Sequence, residues 1–409
     1  MLAGCPILAF CWLGWGSRRV PRSSLLLARG WGSRRVPRSS LPLARAGQSR
    51  RIPITMVCIA MLICDHVPLA PLTTLGVGGA ARYFAEARTE EDVIEAVEFA
   101  RSRDLPLFVL GGGSNVVIAD TGFAGLVLRI VIDGMSLSAR SHGQVIFVTG
   151  AGYEWDALVK ETVAADCAGL ECLSGIPGTV GGTPVQNVGA YGQEVSETIQ
   201  EVRVLDLQSM EVKTLSNADC GFAYRSSIFN TTERGRYIIL RVSFALQPGG
   251  KPAVRYADLQ QFFAGRSTEP TLPEVRDAVR EIRHRKAMLI VPGDEDSHTV
   301  GSFFKNPIVP HTFFEQLSAR LLSAGLQLPN YPAADGFRKL PAAWLVEHAG
   351  FAKGYVKGKA GISRRHSLAI INRGGATATE IIAVKNEIQA RVIERFDIAL
   401  EPEPVFVGF

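Results

Sequence analysis

Apolar positions along most of the chain recur with two periods, helical and strand-like, and the two alternate. Thr89–Arg101 predicts a capped helix: Val93, Ile94, Val97 and Ala100 form its stripe, and Thr89 with Asp92 three residues on supplies a start signal. Leu105–Leu110 (LPLFVL) predicts a short buried strand running straight into Gly111. Gly125–Ile130 and Val145–Thr149 predict further strands, and Glu154–Ala165 a helix with Trp155, Leu158 and Thr162 on one face. Val202–Asp206 and Tyr237–Leu246 are strand-like, the latter alternating and β-branched. Three helices follow: Thr271–Lys286, which opens with Pro273; Thr312–Ala324, closed by Gly325; and Ala378–Phe396, with Thr377 and Glu380 as a capping box. This mixture predicts an α+β or α/β chain in several lobes.

Composition narrows the class. The 409 residues are 47% apolar and 20% charged, ordinary globular values with ample length for a core and two to three domains. Unbroken apolar runs fall well short of the roughly 20 residues a spanning helix needs, so no membrane protein is expected. The seven cysteines have neither zinc spacing nor a disulfide framework, which favours a reducing, cytoplasmic compartment.

The formal charge of +5 is unevenly placed. Residues 1–60 hold ten arginines, no lysine and no acid, which leaves 34 basic against 39 acidic residues for the body. No nucleic-acid surface is expected on that body. The same segment repeats itself: GWGSRRVPRSSLLLAR at Gly14–Arg29 returns as GWGSRRVPRSSLPLAR at Gly30–Arg45. It reads as a targeting segment, a flexible basic arm, or sequence outside the native coding frame, with translation starting at Met56 or Met61. The abrupt change of composition favours the last, and residues 1–65 are expected to be a disordered or non-native extension.

Two glycine-rich loops carry the first candidate chemistry. Leu110–Asn115 reads LGGGSN, a buried strand ending in three glycines whose N–H groups have no side chains in the way. Such a loop can wrap a pyrophosphate, with Ser114 and Asn115 as added polar donors. Val116 stands where a dinucleotide fingerprint needs its third glycine, and no P-loop lysine follows. Taken alone, the run reads equally as a tight turn. Ser174–Gly192 reads SGIPGTVGGTPVQNVGAYG, which excludes a helix or central strand. Two such loops beside buried strands suit a ligand with a diphosphate and flat rings, and FAD fits better than a lone nucleotide.

Two further segments are polar within apolar surroundings. Arg225 lies in YRSSIF and Ser302 in GSFFKNP. Ser302 has no G-x-S-x-G frame, and no histidine has triad or metal-ligand spacing, so hydrolase and metalloenzyme readings are weak. Ser302 could donate a proton, although a lone GSFF also reads as a turn or helix-cap serine.

Together these segments resemble the MurB family of UDP-N-acetylenolpyruvoylglucosamine reductases. The resemblance runs from about Val67 to Phe409 on PLTTLGVGGAARYF, LGGGSN, SGIPGTVGGTPVQNVGAYG, AYRSSIF, GSFFKNP, LPNYPAADG and LEPE. It implies an α+β fold: a two-lobed FAD-binding domain of the PCMH/VAO type at 66–290, with lobes of about 66–130 and 131–290. A C-terminal α/β substrate-binding domain at 291–403 and a strand at 404–409 would complete it. Non-covalent FAD would lie on Gly111, Gly112, Gly113, Ser114, Asn115, Gly175, Ile176, Gly178, Thr179 and Gly182. The segment VRYADL is similar to a substrate-gripping loop of the longer family type, which would put Tyr256 on the UDP sugar.

The activity so implied is reduction of an enolpyruvyl vinyl ether by NADPH through FAD, in peptidoglycan precursor synthesis. Hydride from flavin N5 adds to the terminal vinyl carbon and electron density moves into the carboxylate. Arg225 and a protonated Glu403 would stabilise that charge, and Ser302 would protonate the adjacent carbon, with a relay of hydrogen bonds expected behind it. Lys286, Asn306, Tyr331, Lys353 and His366 would lie near the UDP or pyruvyl groups, His366 reading equally as a core histidine. The two substrates would use one flavin face in turn, which predicts ping-pong kinetics. A monomer is favoured. The alternatives are a sugar or alcohol oxidase of the same fold, which has no evident use for Ser302, Glu403 and Arg225 together, and a degenerate flavin-binding protein.

Overall fold

The computed structural model describes residues 61–141 and 143–409. The extension and its repeat lie outside the described residues, except that the first strand begins at Ile63, inside the stretch assigned to the extension.

The first lobe is a four-stranded sheet of β1 (Ile63–Pro68), β2 (Ala80–Ala87), β3 (Leu107–Leu110) and β5 (Phe123–Ile130), in the order β1-β2-β5-β3. Only β1 runs antiparallel to its neighbour. Helix α1 (Glu90–Ser102) links β2 to β3. Thr89 accepts from the Asp92 N–H and Asp92 accepts from the Thr89 N–H, so both groups of the capping box are satisfied. Val93, Ala96, Val97 and Ala100 face the core. A short strand β4 (Val116–Ile118) follows the glycine run.

The second lobe is an antiparallel sheet with β6 (Met135–Ser141) and β7 (Gln144–Gly150) at one side. Beyond β7 come Tyr237–Pro248, Ile199–Asp206 and Glu211–Ser216. Helix α2 (Trp155–Ala164) packs Trp155 against Phe244 of the sheet, ring centroids 5.8 Å apart. The helix also carries Asp156, which accepts from Arg276 Nη1 at 2.7 Å, from Arg280 Nη1 at 2.5 Å and from the Gly175 N–H at 2.6 Å. The two arginines belong to α4 (Leu272–Arg285), which follows the short α3 (Ala257–Phe262). One carboxylate thus joins α2, α4 and the start of the second glycine loop.

The C-terminal lobe surrounds its own core. Helices α5 (His311–Ser323), α6 (Ala342–His348) and α7 (Ala378–Phe396) pack with two small three-stranded sheets around Phe303, Phe304, Leu345 and Ile388. Leu75, Val77 and Val117 of the first lobe enter the same cluster. Val405–Val407 then pairs in parallel with β4, so the end of the chain is a strand of the first lobe. No helix among the described residues is long and apolar enough to cross a membrane.

Candidate active site

A cleft of about 1170 Å³ lies where the three lobes meet, and both glycine loops form one wall of it. They touch backbone to backbone: a β-carbon on Gly112 would lie 2.6 Å from Gly178 Cα, and one on Gly111 2.9 Å from Thr179 Oγ1. Gly113 sits at φ +65° with the Leu72 carbonyl where a side chain would begin. The N–H groups of Gly112, Gly113 and Ser114, and those of Gly178 and Thr179, donate to no backbone carbonyl outside the strands among the described residues. Bare amides converging from two loops form a cradle for an anionic group such as a diphosphate, and this fits FAD.

Nine of the ten residues expected at the cofactor line the cleft. Gly175 does not: its N–H goes to Asp156 and its carbonyl accepts from Arg283 Nε at 3.2 Å, so it anchors the loop from behind. Asn115 is not a free donor either. Its Nδ2 donates to Gln186 Oε1 at 2.8 Å and to the Glu403 carbonyl at 3.3 Å, which ties the first loop to the second and to the chain's last segment.

The opposite wall brings together residues far apart in sequence. Arg225 lies in a turn closed by reciprocal hydrogen bonds between Ala223 and Ser226, at φ +53°. Its Nη2 donates to the Gly189 carbonyl at 2.7 Å, and its Nε lies 3.2 Å from Glu403 Oε1. Burial pushes the Glu403 carboxyl above its ordinary range, against the opposing pull of Arg225 and Lys305.

Ser302 Oγ lies 3.1 Å from His366 Nε2, a hydrogen bond across 64 residues. The buried Phe303 fixes this arrangement: its N–H donates to the Leu368 carbonyl at 2.8 Å and its carbonyl accepts from the Glu403 N–H at 2.9 Å. Ser302, His366 and Glu403 therefore hang on neighbouring backbone bonds of one residue. Burial, then the positive charges of Lys286, Lys353 and Arg283, hold the His366 imidazole down at about 4, neutral near pH 7.

The remaining expected residues also line the cleft. Lys286, at the end of α4, pairs with Asp258 of α3. Tyr256 stands edge-on to Tyr191 at 5.5 Å and, like Tyr331, is open to solvent. Asn306 Oδ1 accepts from the Ala342 N–H and so holds the start of α6. Lys353 completes the set. Sequence reading passed over Lys339, whose Nζ sits 4.8 Å from the Tyr224 ring centre, and Arg283, buried behind the second loop. Neither lies in a motif with a recognisable spacing, and only the fold brings them to the cleft.

Comparison with known proteins identifies this combination. Residues 293–407 match the family described as UDP-N-acetylenolpyruvoylglucosamine reductase, C-terminal domain, and residues 81–216 match an FAD binding domain. The UDP-N-acetylenolpyruvoylglucosamine reductase of Thermobifida fusca is 45% identical over 350 residues, 84% of this chain and 97% of its own. This chain belongs to that family. The Streptomyces coelicolor reductase is 44% identical over 347 residues, 83% of this chain and 89% of its own. The crystal structure of the Thermus caldophilus reductase (MurB) covers 85% of this chain and all of its own, with a TM-score of 0.57 and 25% identity. In this reductase family member, an FAD-binding domain is followed by a MurB C-terminal domain, and residues of both line the cleft.

Proposed function

We propose that the protein reduces UDP-N-acetylglucosamine enolpyruvate to UDP-N-acetylmuramate with NADPH and non-covalently bound FAD, a step of peptidoglycan precursor synthesis. The observation that carries this reading is the convergence of Arg225, Ser302 and Glu403, from two different lobes, on a cleft whose other wall is two bare glycine loops. When bound on those loops, FAD supplies the hydride that NADPH delivers.

The chain's own residues then handle charge and protons. As hydride arrives at the vinyl carbon, the displaced electron pair moves into the substrate carboxylate. Arg225, pre-aimed by Gly189, meets that charge with fixed donors. Burial raises the Glu403 pKa, which favours the acid form, and in that form Glu403 adds an O–H donor beside it. Ser302 delivers the proton to the carbon next to the carboxylate. Lys286 and Lys353 neutralise the diphosphate, while Tyr256, Tyr331 and Asn306 hold the UDP sugar. Both substrates are water-soluble nucleotides, which supports action in the cytoplasm without a membrane partner.

The test is anaerobic. NADPH should bleach the yellow holoprotein, and the enolpyruvyl sugar should then restore its colour. Bleaching without recovery would refute the proposed acceptor.

A further inference from the structure

We infer that His366 is a positioning and proton-relay residue that acts through Ser302, its ring proton held on Nε2 and donated to Ser302 Oγ. This rests on the reductase reading above and goes beyond it, since that reading expects a relay behind Ser302 and names no residue for it.

The argument starts from the serine. A hydroxyl has one proton to give and two lone pairs to fill. If Ser302 gave its proton to His366, its O–H would point away from the substrate and could not protonate carbon. A serine that acts as a donor must therefore accept at Oγ from its protein neighbour, and that neighbour is His366 Nε2, 3.1 Å away. The clamp through Phe303, with its N–H on the Leu368 carbonyl, keeps the two segments in register. The surroundings also disfavour an imidazole that takes a proton from serine and holds it. Lys286, Lys353 and Arg283 all oppose a positive ring, and Asp258 is occupied with Lys286. A neutral ring with hydrogen on Nε2 satisfies both constraints. His366 Nδ1 has no protein partner among the described residues, and His366 lines the cleft.

The relay balances. The Ser302 O–H bond breaks and its proton forms the new C–H bond, using the electron pair of the doubly anionic intermediate. The Nε2–H bond breaks and its proton restores the Ser302 hydroxyl, while a solvent or buffer acid gives a proton to Nδ1. The ring ends neutral with its proton on Nδ1, and exchange with solvent resets it after product leaves. No alkoxide accumulates, and Ser302 and His366 both end uncharged.

Two measurements test this on the holoenzyme. In His366→Gln the side-chain amide still donates to Oγ but cannot pass a proton on. Single-turnover product formation should then slow about a hundredfold, in the range of general acid–base effects, and far more than bleaching by NADPH does. The dependence of that rate on deuterium fraction should be curved in the wild type, where several protons move, and linear in the variant. A variant that forms product within about threefold of the wild-type rate, at intact flavin content, overturns the relay. Independently, nitrogen-15 spectra of the histidine ring in the wild type should place the proton on Nε2 and shift in Ser302→Ala; a proton on Nδ1 overturns the assignment. Wild-type enzyme that bleaches and never recovers with the enolpyruvyl sugar would instead overturn the reductase reading, and the ring spectrum, recorded without substrate, distinguishes that failure from this one.

Discussion

Arg225 holds a left-handed backbone conformation that costs a residue with a β-carbon on the order of 1 kcal/mol or more. Its side chain is thereby aimed, with Nη2 on the Gly189 carbonyl and Nε beside Glu403. Lysine would keep the charge and lose the fork. Arg225→Lys is therefore expected to slow flavin reoxidation by the enolpyruvyl sugar about a hundredfold in stopped flow, and far more than it slows bleaching by NADPH. Equal slowing of both half-reactions would remove the role. Glu403 gives a pH dependence. Burial raises its pKa, so the acid form that donates is full at low pH and is lost as pH rises through the raised value. The reoxidation rate should fall on that alkaline side, and Glu403→Gln, neutral throughout, should flatten the limb. An identical limb in both proteins would assign it to another group. These two residues were legible as motifs. The Ser302–His366 bond was not, because 64 residues lie between its partners and neither segment shows a triad spacing.

Helix starts were legible for the opposite reason. The capping boxes of α1, α4 and α7 are closed within four residues, at Thr89, Thr271 and Thr377, so local chemistry fixes them. Helix α6 escaped notice: Ala342–His348 is too short to display a period, and its start depends on Asn306, 36 residues upstream. The partner of Val405–Val407 was equally hidden, since parallel pairing with β4 leaves no mark in either strand. Two elements carry predictions. At the contact of the glycine loops, Gly112→Ala forces its β-carbon against Gly178, so one loop must move. Flavin should be retained at least about tenfold less tightly, read by fluorescence on dilution, with the urea midpoint of the flavin-free protein nearly unchanged. At the start of α7, Asp120 accepts from the Ala378 N–H at 2.7 Å, the Thr379 N–H at 3.0 Å and the Thr379 hydroxyl at 2.7 Å. Burial opposes its charge, yet these bonds prevail and depress its pKa below 3.8. Asp120→Ala should cost about 1–2 kcal/mol by urea titration. The sign follows from the depression: the contribution is complete above 3.8 and is lost as pH falls through the folded-state value. A deficit that persists unchanged in acid would point to lost packing instead of lost capping.

At the scale of the molecule, the cleft exists only because the chain returns on itself. Glu403 reaches it because Pro402 bridges Phe304 and Val405–Val407 joins β4. The first lobe, the second lobe and the C-terminal lobe each supply one part of the lining, and none holds a complete site. This geometry constrains the kinetics. The glycine loops form one wall, and Lys286, Lys353, Lys339, Arg225 and Arg365 are on the remaining surface. A smaller cleft of about 350 Å³, near Gln144 and Asn217, carries no basic residue and offers nothing to a nucleotide phosphate. NADPH and the UDP sugar, both anionic, are then expected to take this same cationic surface in turn. Steady-state rates should give parallel double-reciprocal lines, the pattern of a substituted-enzyme mechanism. Each substrate in excess should also inhibit competitively against the other, because either can occupy the flavin state that the other requires. Intersecting lines would mean that both nucleotides bind together, which demands a second phosphate-binding surface. Neutralising Lys286 with Lys286→Met distinguishes the cases further: on a shared surface it raises the KM for NADPH and for the enolpyruvyl sugar, whereas on separate surfaces it raises only one.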